Sequence, residues 1–353
     1  METIQDLHIK NKVCSIKELQ KATLKCKKGV LWKDSVANYY SHSLMRNYRL
    51  KHRLLNGTYK ISKYIQFTIY EPKKREIVST RFTDRVFQRS LSYNYLTYEI
   101  QKDFIDNNFA CQVGKGTHKA IKCFVRHLHN FCLKHSLNGF ILKCDIHDYF
   151  GSTPHAVAKE STEYVRDSWA KSELHRIIDS FSQGDDPTKG MGLGSEITQS
   201  VQLAILDEMD KAITKKFGVK LYVRYMDDFY LYHHSKDLLK ECLSYIMKYM
   251  NDRSLVLNTK KTKIQKIGQP AHFLGFSYKL HENDKVTMKV LPEKVKRNKR
   301  KLRKIVIRLK LSREQCDKTF QCILAHMKKS NNRSQVCNMI RFYENLWKER
   351  GTL

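Results

Sequence analysis

The stretch Leu221-Tyr-Val-Arg-Tyr-Met-Asp-Asp-Phe-Tyr-Leu-Tyr232 decides how the rest of the chain reads. Aromatic and branched apolar residues flank a central acidic pair, Asp227-Asp228, which predicts a tight hairpin with both carboxylates at its tip. The ordinary reading of an Asp-Asp dipeptide is an exposed turn. Here both flanks are apolar, and a turn needing only polarity rarely sets two like charges where Asn-Gly would serve. Adjacent carboxylates repel one another unless a cation lies between them.

A second run, Gly139-Phe-Ile-Leu-Lys-Cys-Asp145, predicts a short buried strand that also ends on a carboxylate. A third carboxylate on a neighbouring strand completes a hard-oxygen site for two Mg²⁺ ions, which keep waters and bind substrate phosphates. Two such ions, about 3.5–4 Å apart, deprotonate a 3′-hydroxyl and neutralise a leaving pyrophosphate.

Around these two strands, the 353 residues are long enough for one large domain or two to three packed subdomains. With 41% hydrophobic residues and only 5 Pro, a sizeable core is expected and wholesale disorder is not. No uncharged apolar run approaches the roughly 18 residues of a bilayer span. Nor does the N-terminus have the apolar core of a secretory signal. The ten cysteines are scattered without a C-x-x-C pair, which argues against zinc knuckles and a disulfide framework and suits a reducing cytoplasm. Charge says most. Lys and Arg number 66 against 35 Asp and Glu, a net charge of +31 that calls for a polyanion, nucleic acid by default. A solubility surface or an anionic membrane face is the alternative, but no amphipathic terminal anchor accompanies the charge.

Residues 1–60 read as a basic helical extension, with Leu44, Tyr48 and Leu55 set among arginines and lysines. Residues 61–70 and Glu76-Ile77-Val78 form a hairpin signal across a turn at Glu71-Pro72-Lys73-Lys74, and a helix follows from about Thr83. The best helix runs from Ser195, its N-cap, to Lys215, with Ile197, Val201, Ile205, Met209 and Ile213 on one stripe. From 291 to 310 there are ten Lys or Arg and one Glu, with Val295, Leu302, Val306 and Leu309 tracing a docking stripe. His118, His147 and His155 lack ligand spacing and read as satisfied surface histidines.

Arg224-Tyr-Met-Asp-Asp-Phe229 resembles the Tyr-x-Asp-Asp signature of reverse transcriptases, and further blocks resemble that family in its order, over about residues 60–330. Arg75–Gln88 and Phe109–Thr117 resemble fingers blocks. Asp145–Phe150 resembles the first palm carboxylate with its aromatic gate, and Gly190–Gln199 the palm block that ends Ser-Gln in bacterial members. Leu257–Thr262 and Phe273–Phe276 resemble the last palm block and the primer grip. Seven ordered blocks are far more specific than one tetrapeptide.

The resemblance is best to compact bacterial enzymes of diversity-generating retroelements and of antiviral defence systems. Gly192 stands where many members have Pro, Thr198 where Ser is usual, and Phe273-Leu-Gly275 where retron enzymes have Val-Thr-Gly. The chain leaves no room after its last helices for a maturase region, an RNase H domain or an endonuclease.

The resemblance implies an α+β right-hand polymerase: fingers over 61–135, palm over 136–285, and a basic helical thumb over 286–353. It implies Asp145, Asp227 and Asp228 as catalytic residues, and these three with Ile146 as ligands of two Mg²⁺ ions, Mn²⁺ being a possible substitute. Arg75 would grip the triphosphate of a dNTP, through a guanidinium fork on phosphate oxygens, or be a solvated charge. Phe150 would exclude a 2′-hydroxyl or be an ordinary core aromatic. Gln199 would touch nucleotide or template, after glycines 190, 192 and 194 let the backbone approach the template base; those glycines equally suit a flexible helix entry. Lys261 would protonate pyrophosphate, a role open to Lys260 or to neither. Lys296, Arg300 and Lys304, four residues apart, would follow the phosphates of a template–primer duplex.

The implied activity is RNA-templated DNA synthesis on a structured noncoding RNA, with a DNA or RNA primer, in the cytoplasm and with no membrane partner. Oligomeric state and accessory proteins stay open. Two alternatives share the basic surface. A two-metal nuclease predicts no aromatic gate and no nucleotide-gripping Arg. A noncatalytic RNA-binding protein has no reason to keep the repulsive Asp pair.

Overall fold

The computed structural model describes residues 4–70, 74–181 and 186–351, so most of the expected turn at Glu71-Pro72-Lys73 lies outside the described residues. Four helices open the chain: Ile4–Val13, Ile16–Cys26, Asp34–Ser41 and Ser43–Leu55. The second is capped by Ser15, whose hydroxyl accepts from the Glu18 N–H. In the fourth, Leu50 and Leu54 face the core, while Leu44 and Tyr48 are exposed.

The expected hairpin follows. Strands β1 (Ile65–Ile69) and β2 (Arg75–Ser79) pair antiparallel, Ile65 opposite Ser79 and Ile69 opposite Arg75. A long helix, Thr117–His135, leads into β3 (Phe140–Asp145); β4 (Tyr222–Tyr225), β5 (Asp228–His233) and β6 (Lys263–Lys266) complete an antiparallel sheet of order β4-β5-β3-β6. A second sheet joins β7 (Ala271–Phe273), β8 (Phe276–Leu280) and β9 (Val286–Val290).

Strand alternation divides the interior into two cores. Leu142, Cys144, Phe229 and Leu231 face one core, which they share with helices Glu196–Ile205 and Lys236–Asp252. Ile141, Tyr230 and Tyr232 face the other, where Phe124 of helix Thr117–His135 meets both tyrosines edge-on. The four-stranded sheet is thus covered on both faces, and its strand ends are fixed by packing from either side.

Helices Pro292–Arg303, Arg313–Met327 and Arg333–Gly351 close the chain. Ser312 and Gln315 make a capping box on the second, and Phe320 stacks on Tyr343 with ring centroids 4.0 Å apart. Among the described residues, no helix is long and apolar enough to cross a membrane.

Three expectations need correction. The stripe from Ile197 to Ile213 is buried throughout, but its helix is not continuous: Glu196–Ile205 stops at Leu206 (φ −102°, ψ 1°), and Asp207–Lys211 and a π turn, Ala212–Lys216, follow. Two buried side chains take carbonyls at the break: the Tyr149 hydroxyl donates to Gln202 and the Arg224 guanidinium to Leu203. Ser195 does stand at the N-cap, but its hydroxyl donates to Gln88 Oε1 at 3.0 Å and caps no helix N–H. The basic helix passes into a π turn at Lys304–Arg308, which shifts the phase of the stripe. Leu302 and Val306 are buried, whereas Leu309 is 54% exposed.

Candidate active site

Asp145 ends β3 and Asp228 begins β5, and the antiparallel register sets them directly opposite each other. Residues so paired keep their Cβ atoms about 5 Å apart on one face of the sheet. Asp227 completes the group from the two-residue turn closed by Tyr225 and Asp228. That turn carries a backbone cost: Met226 has a φ of +60°, where a non-glycine residue stays only when its surroundings impose it.

The Leu257–Thr262 block clamps the first carboxylate. The Asn258 N–H donates to the Asp145 carbonyl at 2.7 Å, and Ile146, itself buried, bridges to Leu257. Lys261 from the same block donates to both Asp145 oxygens, at 2.8 and 2.7 Å. Lys143, two residues before Asp145 and so on the same face, places its ammonium 3.8 Å from Asp228 Oδ1.

Burial raises the pKa of Asp228 to about 7; repulsion from Asp145 and Asp227 adds to this, and Lys143 and Lys261 oppose it. The Asp227 carboxyl is also pushed up, first by burial and then by Asp145, against Lys261 and Arg75. Asp228 Oδ1 is buried with no hydrogen-bond partner. An orphaned carboxylate oxygen among three like charges is what a hard divalent cation satisfies, and the all-oxygen donor set fits Mg²⁺. Among the described residues, no three acidic, thiol or imidazole groups converge closely enough to chelate one ion.

The other predicted residues fall at varied distances from this centre. Arg75 begins β2, exposed, and near enough to Asp227 to favour its charged form. Phe150 is partly buried in the short helix Tyr149–Ser152, and its carbonyl accepts from the Met191 N–H at 2.7 Å, which seats it beside the glycine loop. Gln199 turns back on that loop, its amide 3.4 Å from the Leu193 carbonyl. Gly192 serves packing: a Cβ there would run into the Phe181 ring. His155 is not on the surface as expected. It is buried, with Nε2 3.0 Å from the Gly190 carbonyl. Lys296, Arg300 and Lys304 are all exposed on the basic helix.

Two features escaped the sequence reading. Lys143 carries no local signal that separates it from the rest of the 66 Lys and Arg residues. Arg224 and Asp210 form an ion pair with no exposure on either side chain. An arginine between the valine and tyrosine of a strand, and an acid beside Met209 on a buried stripe, were the available signals.

A family model described as reverse transcriptase (RNA-dependent DNA polymerase) matches residues 71–278, more than half of the chain. No curated protein matches it. With the carboxylates on a covered antiparallel sheet and the helices around it, the chain belongs to the reverse transcriptases, RNA-directed DNA polymerases of right-hand fold.

Proposed function

We propose that this reverse transcriptase copies a dedicated structured noncoding RNA into DNA by two-metal nucleotidyl transfer, in an antiviral defence system or a diversity-generating retroelement. The observation that carries the mechanism is the facing pair Asp145 and Asp228, with Asp227 at the turn and one buried Asp228 oxygen without a hydrogen bond. The system assignment rests on the sequence blocks, above all Gly190–Gln199.

In this reading, Asp145, Asp227 and Asp228, with the Ile146 carbonyl, hold the ions. Bound Mg²⁺, or Mn²⁺ in its place, supplies activation of the primer 3′-hydroxyl and neutralises the charge that develops on pyrophosphate. Lys261 leaves Asp145 as the site fills and turns to the departing pyrophosphate, its ammonium serving as proton donor. Arg75 holds the triphosphate of the dNTP from the β1–β2 hairpin, and Phe150 stands where a ribose 2′-hydroxyl would go. Gln199 steadies the loop beside the templating base.

Residues 61–135 act as fingers, 136–285 as palm and 286–353 as thumb, with residues 1–60 as a basic extension. Lys296, Arg300 and Lys304 grip the primer–template backbone. The enzyme works in the cytoplasm.

Primer extension on Asp227→Asn with Asp228→Asn tests the mechanism. Incorporation should fall by at least about 1,000-fold, while RNA affinity stays within about threefold, because the Asp pair holds metal and Lys and Arg hold RNA. Polymerisation near that of the parent would remove the assignment. Sequencing copurified nucleic acid tests the template: one abundant structured RNA with complementary cDNA is expected.

A further inference from the structure

Arg224 is the largest fully buried side chain of the chain's described residues, and a charge in that position needs an account. Its Nε donates to both Asp210 oxygens, at 2.9 and 2.8 Å, and Nη2 to Oδ2 at 2.6 Å. The Tyr222 hydroxyl donates to Asp210 as well. As a staple alone this would be a poor choice, since apolar side chains of similar volume stabilise a core as well or better.

The remaining arms say what the charge does. Nη2 reaches the Leu203 carbonyl at 3.1 Å, and Nη1 reaches the Met226 carbonyl at 3.1 Å. Met226 is the residue with φ +60°, immediately before Asp227. The Arg224 backbone is fixed too: its N–H donates to the Asn107 carbonyl at 2.9 Å, and its carbonyl accepts from the Phe109 N–H at 3.0 Å. A planar fork anchored on one side by a carboxylate thus holds the strained end of the turn on the other. Leu203 lies in the helix that starts at the glycine loop, so loop, helix and turn are tied through one guanidinium.

We propose that Arg224, fixed by Asp210, is the positioning residue that sets the Met226–Asp227 turn where Asp227 and Asp228 face Asp145. The proposal rests on these three carboxylates being the metal-binding set. Arg224 touches neither substrate nor ion. It acts through the Met226 carbonyl, and a lysine, a point charge on a flexible stem, cannot serve Asp210, Leu203 and Met226 together.

The test compares the full chain with Arg224→Lys and Tyr222→Phe, measuring Mn²⁺ binding by electron paramagnetic resonance, and kcat and KM for dNTP. Arg224→Lys should bind Mn²⁺ about tenfold more weakly and lose about 10–100-fold in kcat, with KM within about twofold. Tyr222→Phe, which removes one of the two donors to Asp210 Oδ1 and leaves the Arg224 Nε bond, should shift both in the same direction by about threefold. A folded Arg224→Lys with parental Mn²⁺ affinity and kcat overturns the proposal, leaving the pair a core staple. Should Arg224→Lys fail to fold, Tyr222→Phe decides: parental values overturn the proposal and a weakened ion affinity supports it. Asp227→Asn with Asp228→Asn separates the two levels. If that variant keeps Mn²⁺ binding and activity, the carboxylate assignment fails whatever Arg224 does.

Discussion

The hairpin β4–β5 is enclosed on both faces, with Phe229 and Leu231 in one core and Tyr230 and Tyr232 in the other, whereas the hairpin β1–β2 pairs only with itself among the described residues and leaves Ile65 and Phe67 exposed. Both are rich in β-branched or aromatic residues, and both present charges to the same centre: Asp227 and Asp228 from the first, Arg75 from the second. The difference lies in what surrounds them. Under the proposed mechanism the carboxylates share ions and need their spacing fixed; their hairpin is buried and its turn is bonded by a fully buried arginine. In the role proposed for it, Arg75 grips each incoming nucleotide and then releases it, which a less enclosed mount allows. The two-stranded sheet β1–β2 is less enclosed than β4–β5, with Val78 as its buried residue in the first core. The same contrast separates the two kinds of positive charge in the molecule: Arg224, buried and paired, fixes geometry, while Lys296, Arg300 and Lys304, exposed on their helix, are free to meet phosphates.

The contrast can be broken or sharpened by substitution on each side. The largest effect after loss of the Asp pair should come from Phe150→Ala, which removes the steric bar to a 2′-hydroxyl. The ratio of rNTP to dNTP incorporation should rise on the order of 100-fold. An unchanged ratio in a variant that still polymerises would make Phe150 a core residue only. Next comes the exposed helix. Changing Lys296, Arg300 and Lys304 to Gln should flatten the salt dependence of log K by up to about 3, so that between 50 and 200 mM salt the parent loses up to about 60-fold more duplex affinity than the variant. Product length should shorten with it. Unchanged slope and length would move the duplex grip elsewhere.

On the less enclosed hairpin, Arg75→Ala should raise KM for dNTP about tenfold, the worth of a hydrogen bond to a charged group, and leave Mn²⁺ affinity alone. A loss of ion binding instead would mean that β1–β2 shapes the carboxylate site, and the contrast between the hairpins would fall. The smallest effect concerns the backing of the rigid hairpin. His127 is buried with Nε2 3.0 Å from the Tyr222 carbonyl, and burial lowers its pKa to about 4. The unfolded chain takes up this proton near pH 6.5 and the folded chain only near pH 4, so stability is full above pH 6.5 and declines as pH falls through that window. At pH 5 the loss should be on the order of 2 kcal/mol relative to pH 7.5, and denaturant titrations should find it absent in His127→Gln.

The sequence by itself determined the strands and what they carry. Period-two alternation around Asp227-Asp228 and the short run to Asp145 are local patterns, readable because a strand buried on both faces admits few polar residues and marks those it keeps. Ordered blocks then pointed to the family that the reverse transcriptase model matches over residues 71–278, and the residue types at the strand tips gave the chemistry proposed here. Only the tertiary structure decided how those tips are held. The break at Leu206 could not be read from a stripe that is buried on both sides of it, because the carbonyls that leave the ladder are taken by Tyr149 and Arg224, residues 53 and 21 positions away. The burial of His155, the Ser195 hydroxyl turned to Gln88 and the Lys261 bond to Asp145 are also pairings between distant segments. Periodicity reports which face of an element is buried. Which polar atom meets which is settled only when the elements pack, since a buried donor or acceptor can take only a partner that packing brings within reach.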